Sequence, residues 1–140
     1  MRSFHTGTAE LTDDAFVEAF ESCRLPAASF HHADHIRLAW IYLGRMTEAE
    51  ATQRIEEAIR RFAAHNGVTT KYHHTITVAW MRLVAAARTA SPQATRFDEF
   101  AAMNPELLDA DLIKSYYSST RLAASDARTT WTEPDLRPLQ

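Results

Sequence analysis

Apolar residues recur at three- and four-residue intervals along most of the chain, which is the periodicity of amphipathic helices. The first run is predicted to begin at Thr12, whose hydroxyl can cap a helix, with Asp13 and Asp14 in the first turn. The predicted buried stripe consists of Phe16, Ala19, Phe20 and Cys23. The helix is expected to end at Leu25-Pro26, because proline pushes the residue before it out of the helical region.

The second run is predicted to begin near His31 or His32 and to end at Gly44. At about 100° per residue, Arg37 points away from the predicted inner face. That face consists of His35, Leu38, Ala39, Tyr42 and Leu43. His32 and His35 are three residues apart, and His31 and His35 are four apart, so either pair can direct two ring nitrogens toward one point. The spacing alone does not choose between the two pairs.

The third helix has the clearest start and stop signals. Thr47 and Glu50 form a capping box, in which each side chain can bind the other's backbone N–H group. The apolar positions that follow at helical spacing are Ile55, Ala58, Ile59 and Phe62. Asn66-Gly67 is expected to end the helix in a left-handed turn.

A fourth helix is predicted from about Lys71 or Tyr72 to Ala87, with Ile76, Trp80, Leu83 and Ala87 on its buried face. On this projection His73 falls close to Trp80, while His74 is turned about 100° further round. His73 is therefore the predicted inward histidine. The Thr77 hydroxyl, one turn later, is a candidate for orienting the His73 imidazole.

The last third of the chain is predicted to form shorter helices. One is expected to end at Asn104-Pro105, another to begin near Asp109, and a single turn to cover Ser125–Arg128. The remainder is predicted to be an extended tail that packs across the bundle through Trp131 and Leu136.

These elements together predict an all-α fold, a compact helical bundle of about five to six helices with an extended C-terminal tail. Only three glycines occur among 140 residues, and alanine is abundant. No linker or internal repeat divides the chain, so we expect one domain over residues 1–140, with an N-terminal extension over 1–10 and the tail over 129–140.

Composition and charge narrow the class of protein. Hydrophobic residues make up 46% of the chain and charged residues 24%, which is typical of a globular protein. The net charge is −3 and the arginines form no basic patch, so no nucleic-acid partner is expected. The single cysteine, Cys23, cannot form an internal disulfide and is expected to be a small core residue. Since no signal-peptide run or membrane span stands out, we expect a cytoplasmic protein without a membrane partner.

Five of the seven histidines lie in two short segments, each at a predicted helix start. Neutral imidazoles bind zinc, iron, nickel and copper, and a catalytic metal usually keeps three protein ligands and one open position. His32, His35 and His73 meet that count. The leading hypothesis is therefore a divalent transition metal between two helices, serving a metal-dependent hydrolase or transferase. No H-E-x-x-H or E-x-x-H sequence supplies a carboxylate alongside.

Two other hypotheses stay open. One is a metal-free enzyme, in which one of these histidines acts as the general acid or base. The other is a non-catalytic binding or interaction domain with structural histidines. Under either, a pocket lined by Trp40, Trp80 and Tyr116 can hold a small-molecule ligand. The residues considered for substrate contact or for orienting the site are His31, His74, Thr77, Tyr116 and Arg128. The oligomeric state is left open.

Three segments also carry a family resemblance: Phe30–Trp40, Lys71–Thr77 and Ala127–Leu136. They resemble an uncharacterised family of small bacterial proteins, and the similarity extends over most of the chain from the first helix onward. The resemblance implies His32, His35 and His73 as the family's histidine positions, and it implies no activity or substrate.

Overall fold

A computed structural model describes residues 8–68 and 72–139. The α-helices in these ranges are α1 (Asp13–Glu21), α2 (His32–Arg45), α3 (Glu48–His65), α4 (His74–Ala90), α5 (Phe97–Met103), α6 (Ser119–Ala123) and α7 (Ser125–Thr129). Short 3-10 turns cover Thr8–Glu10, Ala27–Ser29, Pro105–Leu108 and Ala110–Ser115. The described ranges hold no β-strand, and the predicted all-α class is confirmed. None of their helices is long and apolar enough to cross a bilayer.

Helix α2 runs through the centre of the bundle. It packs against α3, α4, α5 and the turn Pro105–Leu108, and every side chain from residue 36 to residue 42 is buried. The prediction that Arg37 points away from the core is therefore wrong, since Arg37 is only 9% exposed. A single-face projection fails here because neighbouring elements surround the helix.

Local signals in the sequence located the helix ends well. The Thr12 hydroxyl accepts a hydrogen bond from the Ala15 N–H group at 3.1 Å, as predicted for the start of α1. Thr47 and Glu50 form the expected capping box, with both hydrogen bonds at 3.1 Å. Gly67 adopts a φ of +72° after α3, which confirms the left-handed stop. The predicted fourth-helix start at Lys71 lies outside the described residues, and α4 begins at His74.

Helix α1 ends earlier than predicted, and this changes the position of Cys23. The helix stops at Glu21, and the N–H groups of Arg24 and Leu25 both donate to the Ala19 carbonyl, at 2.9 and 3.1 Å. Cys23 occupies the left-handed position of this turn with a φ of +63°, where glycine is the usual residue. It is half-buried at the turn, not part of the helical stripe.

Replacing Cys23 by glycine should make the protein about 1 kcal/mol more stable than replacing it by alanine. Both variants lose the thiol, but only alanine keeps the Cβ that disfavours the left-handed region. The measurement is urea unfolding of both variants under reducing conditions. Equal stability, or a less stable glycine variant, would show that the turn carries no such strain.

The chain after α5 differs from the prediction in detail. The 3-10 turn Ala110–Ser115 takes the place of the helix expected from Asp109, and α6 was not predicted. The single turn expected over Ser125–Arg128 is confirmed as α7. The short turns leave many carbonyl groups of this part of the chain available to side chains from the long helices.

The C-terminal segment, residues 130–139, has no regular secondary structure but is tied to the bundle. The Thr75 hydroxyl donates to the Thr130 carbonyl at 2.9 Å and accepts from the Thr132 N–H group at 3.1 Å. The Tyr117 hydroxyl donates to the Thr132 carbonyl at 2.6 Å. Trp131 is half-buried against the core, as predicted.

Further along, the C-terminal segment is held by the residues just before α6. The Asp135 carboxylate accepts from the Ser118 N–H and hydroxyl groups, at 2.9 and 2.7 Å. The Leu136 N–H group donates to the Tyr116 carbonyl at 2.9 Å. The predicted packing of the Leu136 side chain is wrong, since this side chain is 55% exposed and Leu139 is buried instead.

Candidate functional site

His73 caps the first turn of α4. Its Nδ1 accepts a hydrogen bond from the Ile76 N–H group at 3.2 Å, and its Nε2–H donates to the Leu122 carbonyl at 2.8 Å. The Thr77 hydroxyl donates to the main-chain carbonyl of His73 at 2.9 Å, so it holds the helix turn and not the imidazole. Both ring nitrogens of His73 are therefore engaged within the protein.

His32 has a similar position at the start of α2. Its Nε2 lies 2.9 Å from the Leu107 carbonyl, an acceptor, so the ring carries its proton on Nε2. The ring also packs on Trp80, with 4.5 Å between the ring centroids. His32 thus connects α2 to the turn Pro105–Leu108.

His35 lies one turn further along α2 and is half-buried. Its ring packs against Phe30 with a centroid separation of 4.4 Å. Its pKa is lowered to about 4, chiefly by burial and to a smaller extent by the nearby His32, while Asp34 opposes the shift. Within the described ranges, no hydrogen bond is made to the His35 imidazole. His35 is therefore a neutral imidazole at neutral pH.

The three histidines do not form a ready set of metal ligands. No group of three His, Cys, Asp or Glu side chains in the described ranges is arranged to hold a metal ion. A ligand role for His73 needs at least one ring nitrogen to leave its present partner, Leu122 or Ile76. The metal site at His32, His35 and His73 stays a prediction.

Of the remaining two clustered histidines, His31 is exposed and His74 is half-buried. The His31 N–H group donates to the Asp34 carboxylate at 2.8 Å, which places Asp34 at the helix start as an N-terminal cap. His74 Nδ1 lies 3.2 Å from the Glu56 carboxylate and 3.3 Å from the Tyr72 hydroxyl. His74 thereby connects α4 to α3.

The aromatic residues predicted to share a pocket each pack against other partners in the described ranges. Trp40 packs 6.0 Å from both Phe97 and Phe100, while Trp80 lies beside His32. Tyr116 is buried under a guanidinium group from the C-terminal segment. The Arg128 guanidinium donates to the Tyr72 carbonyl at 3.3 Å. None of these residues lines the large cleft described next.

A cleft of about 820 Å³ opens between α4 and the C-terminal segment. One wall is formed by Arg82, Ala85, Ala86 and Thr89 of α4, and the other by residues 133–139. Glu48, the first residue of α3, closes one side. Sequence reasoning missed this site, because its two walls are far apart along the chain and their charged residues resemble an ordinary solvated surface.

Two guanidinium groups in the cleft rest on aromatic rings. Arg82 lies over Trp131, with its Cζ 4.2 Å from the ring centroid, and Arg137 lies over Tyr116 at 4.4 Å. Neither guanidinium forms an ion pair or hydrogen bond with the residues that the structure describes. The geometry is therefore that of two oriented cations with free N–H donors.

Two of the acidic groups of the cleft already have partners. Glu133 accepts from the Trp131 indole N–H group at 2.9 Å. Hydrogen bonds from Ser118 lower the pKa of Asp135, so this carboxylate stays ionised. The Asp135 contacts hold the C-terminal segment to Ser118, while the Glu133 contact lies within the segment.

Comparison with known proteins adds no identification. The family resemblance of the histidine segments stays a prediction, and the site is interpreted from the chain's own residues. No protein-family model, curated protein or solved structure matches this chain.

Proposed function

We propose that this chain is a non-catalytic domain that binds a small molecule in the cleft, and that its clustered histidines maintain the fold. The structural role of the histidines is supported by one observation: both ring nitrogens of His73 form hydrogen bonds within the protein. One bonds to the Ile76 N–H group and the other to the Leu122 carbonyl. A histidine used in this way is a helix cap and a connector between elements.

His32 follows the same pattern. Both His32 and His73 lie at the start of a long helix, and both donate an Nε2–H group to a carbonyl in the last third of the chain. Short 3-10 and α-helical turns leave such carbonyls without helical partners. The clustering of histidines at two helix starts is thereby explained without a shared ligand.

The binding half of the proposal is supported by the cleft. Its volume of about 820 Å³ falls within the range of roughly 300–1,000 Å³ typical of small-molecule sites. Arg82 and Arg137 supply oriented donors there, while the histidines lie elsewhere. Recognition of a polar ligand follows more directly from this arrangement than from the histidine segments.

Substitution of His73 tests the structural half. His73→Leu should lower the free energy of unfolding by about 2 kcal/mol, because it removes the cap and the contact with Leu122. His73→Asn should lose only about 1 kcal/mol, since asparagine can still accept the hydrogen bond from Ile76. The exposed His65 gives a matched control, and His65→Leu should change stability by less than about 0.5 kcal/mol. Denaturant unfolding of the three variants supplies the measurement.

Metal content of the same protein decides between this proposal and the metal hypothesis. The untagged wild type is incubated with zinc, iron, nickel and copper, desalted, and measured by mass spectrometry beside single alanine variants of His32, His35 and His73. We expect no stoichiometric metal that depends on these residues. Near-stoichiometric metal lost in all three variants would overturn the proposal.

One observation favours the metal hypothesis as a second candidate. His35 is half-buried, neutral and without a hydrogen bond in the described part of the chain, so its lone-pair nitrogen is available to a metal. The hydrogen bond from His32 Nε2 to the Leu107 carbonyl also leaves Nδ1 as the lone-pair nitrogen. A metal-dependent hydrolase or transferase would be built from this pair, with His73 rearranged to join it.

A further inference from the structure

We infer that Asn66-Gly67, at the C-terminal end of α3, is a site of covalent self-modification, at which deamidation converts Asn66 to aspartate or isoaspartate. The folded end of α3 protects this site, so the reaction proceeds when that end of the helix opens. The inference does not depend on the cleft or on any ligand.

The reaction needs only these two residues and water. The main-chain nitrogen of Gly67 attacks the side-chain carbonyl carbon of Asn66, and a new carbon–nitrogen bond forms. The bond to the side-chain nitrogen breaks, and this group leaves as ammonia, since it gains the equivalent of the proton that Gly67 loses to the solvent. Water then opens the resulting cyclic imide at either of its two carbonyls, which gives aspartate or isoaspartate. Asparagine is for this reason among the thermally labile residues.

Both reacting residues are accessible to the solvent. Asn66 and Gly67 are exposed. Apart from the chain neighbours of Gly67, no described residue has an atom within 4 Å of the point where a Cβ of Gly67 would lie. Glycine at this position therefore leaves the attacking nitrogen without a side chain beside it.

Hydrogen bonds in the last turn of α3 restrain both reacting groups. The Gly67 N–H group donates to the Ala64 carbonyl at 3.1 Å, so the proton that must be lost is held within the protein. The Asn66 side chain is also held, because its Nδ2–H group donates to the Phe62 carbonyl at 2.8 Å. The folded turn therefore slows the reaction at both of the atoms that take part in it.

The main-chain conformation of Asn66 adds to this protection. Its ψ of 8° turns the Gly67 nitrogen away from the Asn66 Cβ. Ring closure therefore requires a rotation about the Cα–C bond of Asn66, which breaks the 2.9 Å hydrogen bond from the Val68 N–H group to the Ala63 carbonyl. Helix ends open in this way at a low cost in free energy, without unfolding of the whole protein.

Deamidation in turn weakens the end of the helix. The new carboxylate cannot donate to the Phe62 carbonyl, and it adds a negative charge at the negative end of the α3 dipole. Phe62 itself packs against Phe20 and Phe30, with ring centroids 4.8 and 5.3 Å apart. The modification is therefore a one-way change in a turn that adjoins the aromatic part of the core.

Peptide mapping by mass spectrometry tests the inference on the full chain, incubated in mildly alkaline buffer at physiological temperature with and without urea. Asn66 should deamidate at least about tenfold faster in urea than in the folded protein, because the protecting hydrogen bonds are lost. Asn104, the other asparagine of the chain, is an internal control. It precedes Pro105, which has no N–H group to lose, so Asn104 should stay unmodified under both conditions.

Two matched variants separate opening of this helix end from unfolding of the whole protein. Ala64 is exposed in the last turn of α3 and Ala49 in the first, so a glycine at either position weakens the same helix. In the folded protein, Ala64→Gly should speed the deamidation of Asn66 about fivefold, whereas Ala49→Gly should change it less than about twofold.

Three results would overturn the inference. Equal deamidation of Asn66 with and without urea would show that the end of α3 gives no protection. Equal effects of Ala64→Gly and Ala49→Gly would show that opening of this end does not control the reaction. The absence of modified Asn66 from both the folded wild type and folded Ala64→Gly would show that the folded protein is not modified at this site.

Discussion

Replacing Arg37 by methionine should lower the free energy of unfolding by about 2–3 kcal/mol, the largest effect expected of any substitution proposed for this chain. The Arg37 guanidinium is buried and donates to the carbonyls of Thr8 and Leu11, at 2.8 and 2.7 Å. It also donates to the Asp13 carboxylate at 3.0 Å. Methionine preserves the side-chain stem but removes all three hydrogen bonds, and only the Thr8 carbonyl keeps another donor, the Leu11 N–H group.

Equilibrium denaturation in urea measures this effect, with two variants as references. Arg37→Lys keeps the charge but cannot reach all three acceptors, so its loss should lie between wild type and Arg37→Met. Arg24→Met removes an exposed ion pair with Glu18 and should cost less than about 1 kcal/mol. A loss at Arg37 no larger than that at Arg24 would mean that the N-terminal turn is not held by this side chain.

Acidification from pH 7 to pH 5 should destabilise the wild type by about 2 kcal/mol more than it destabilises His35→Leu. The pKa of His35 is about 4 in the folded protein and about 6.5 when the chain is unfolded. At a pH between these two pKa values, the His35 imidazole is mostly protonated in the unfolded chain and mostly neutral in the folded protein. Lowering the pH therefore favours the unfolded chain, and the contribution of His35 to stability falls. Leucine has a similar volume and no proton to bind.

The measurement is a set of urea unfolding curves for both proteins at several pH values between 7 and 5. The other histidines and the carboxylates are present in both proteins, so their titration largely cancels in the difference. Parallel stability–pH curves would show that His35 titrates alike in the folded and unfolded states and is therefore not buried as described.

The helix boundaries were predictable because their signals are local. The Thr12 cap, the Thr47–Glu50 capping box and the left-handed Gly67 each depend on residues within one turn. The exception at the end of α1 has the same explanation. Cys23 takes the left-handed conformation that glycine or asparagine usually occupies. The sequence therefore lacks the residue type that would have predicted a turn at this position.

The roles of the histidines were not predictable, because their partners are distant in sequence. His32 bonds to a carbonyl 75 residues away, and His73 to one 49 residues away. Carbonyl groups carry no residue-type signal, so a pattern search finds only the imidazoles. A cluster of imidazoles at helix starts then suggests a metal site just as readily as a set of structural hydrogen bonds.

The cleft was missed for a related reason. Arg82 was one exposed residue on a predicted helix, and Arg137 one charged residue in a tail. Their shared feature, an aromatic ring beneath each guanidinium, exists only once the C-terminal segment lies along α4. The position of the C-terminal segment depends on hydrogen bonds to its main chain, and these cannot be predicted from the periodicity of the sequence.

The burial of residues 36–42 of α2 has a consequence for how this sequence can change. A helix on the surface of a bundle has a tolerant face, so substitutions accumulate there with a period of 3.6 residues. Residues 36–42 have no such face, because every position in that run is buried. Evolutionary drift at this helix is therefore expected to be slow and uniform, with compensating changes required in whichever neighbour each residue touches.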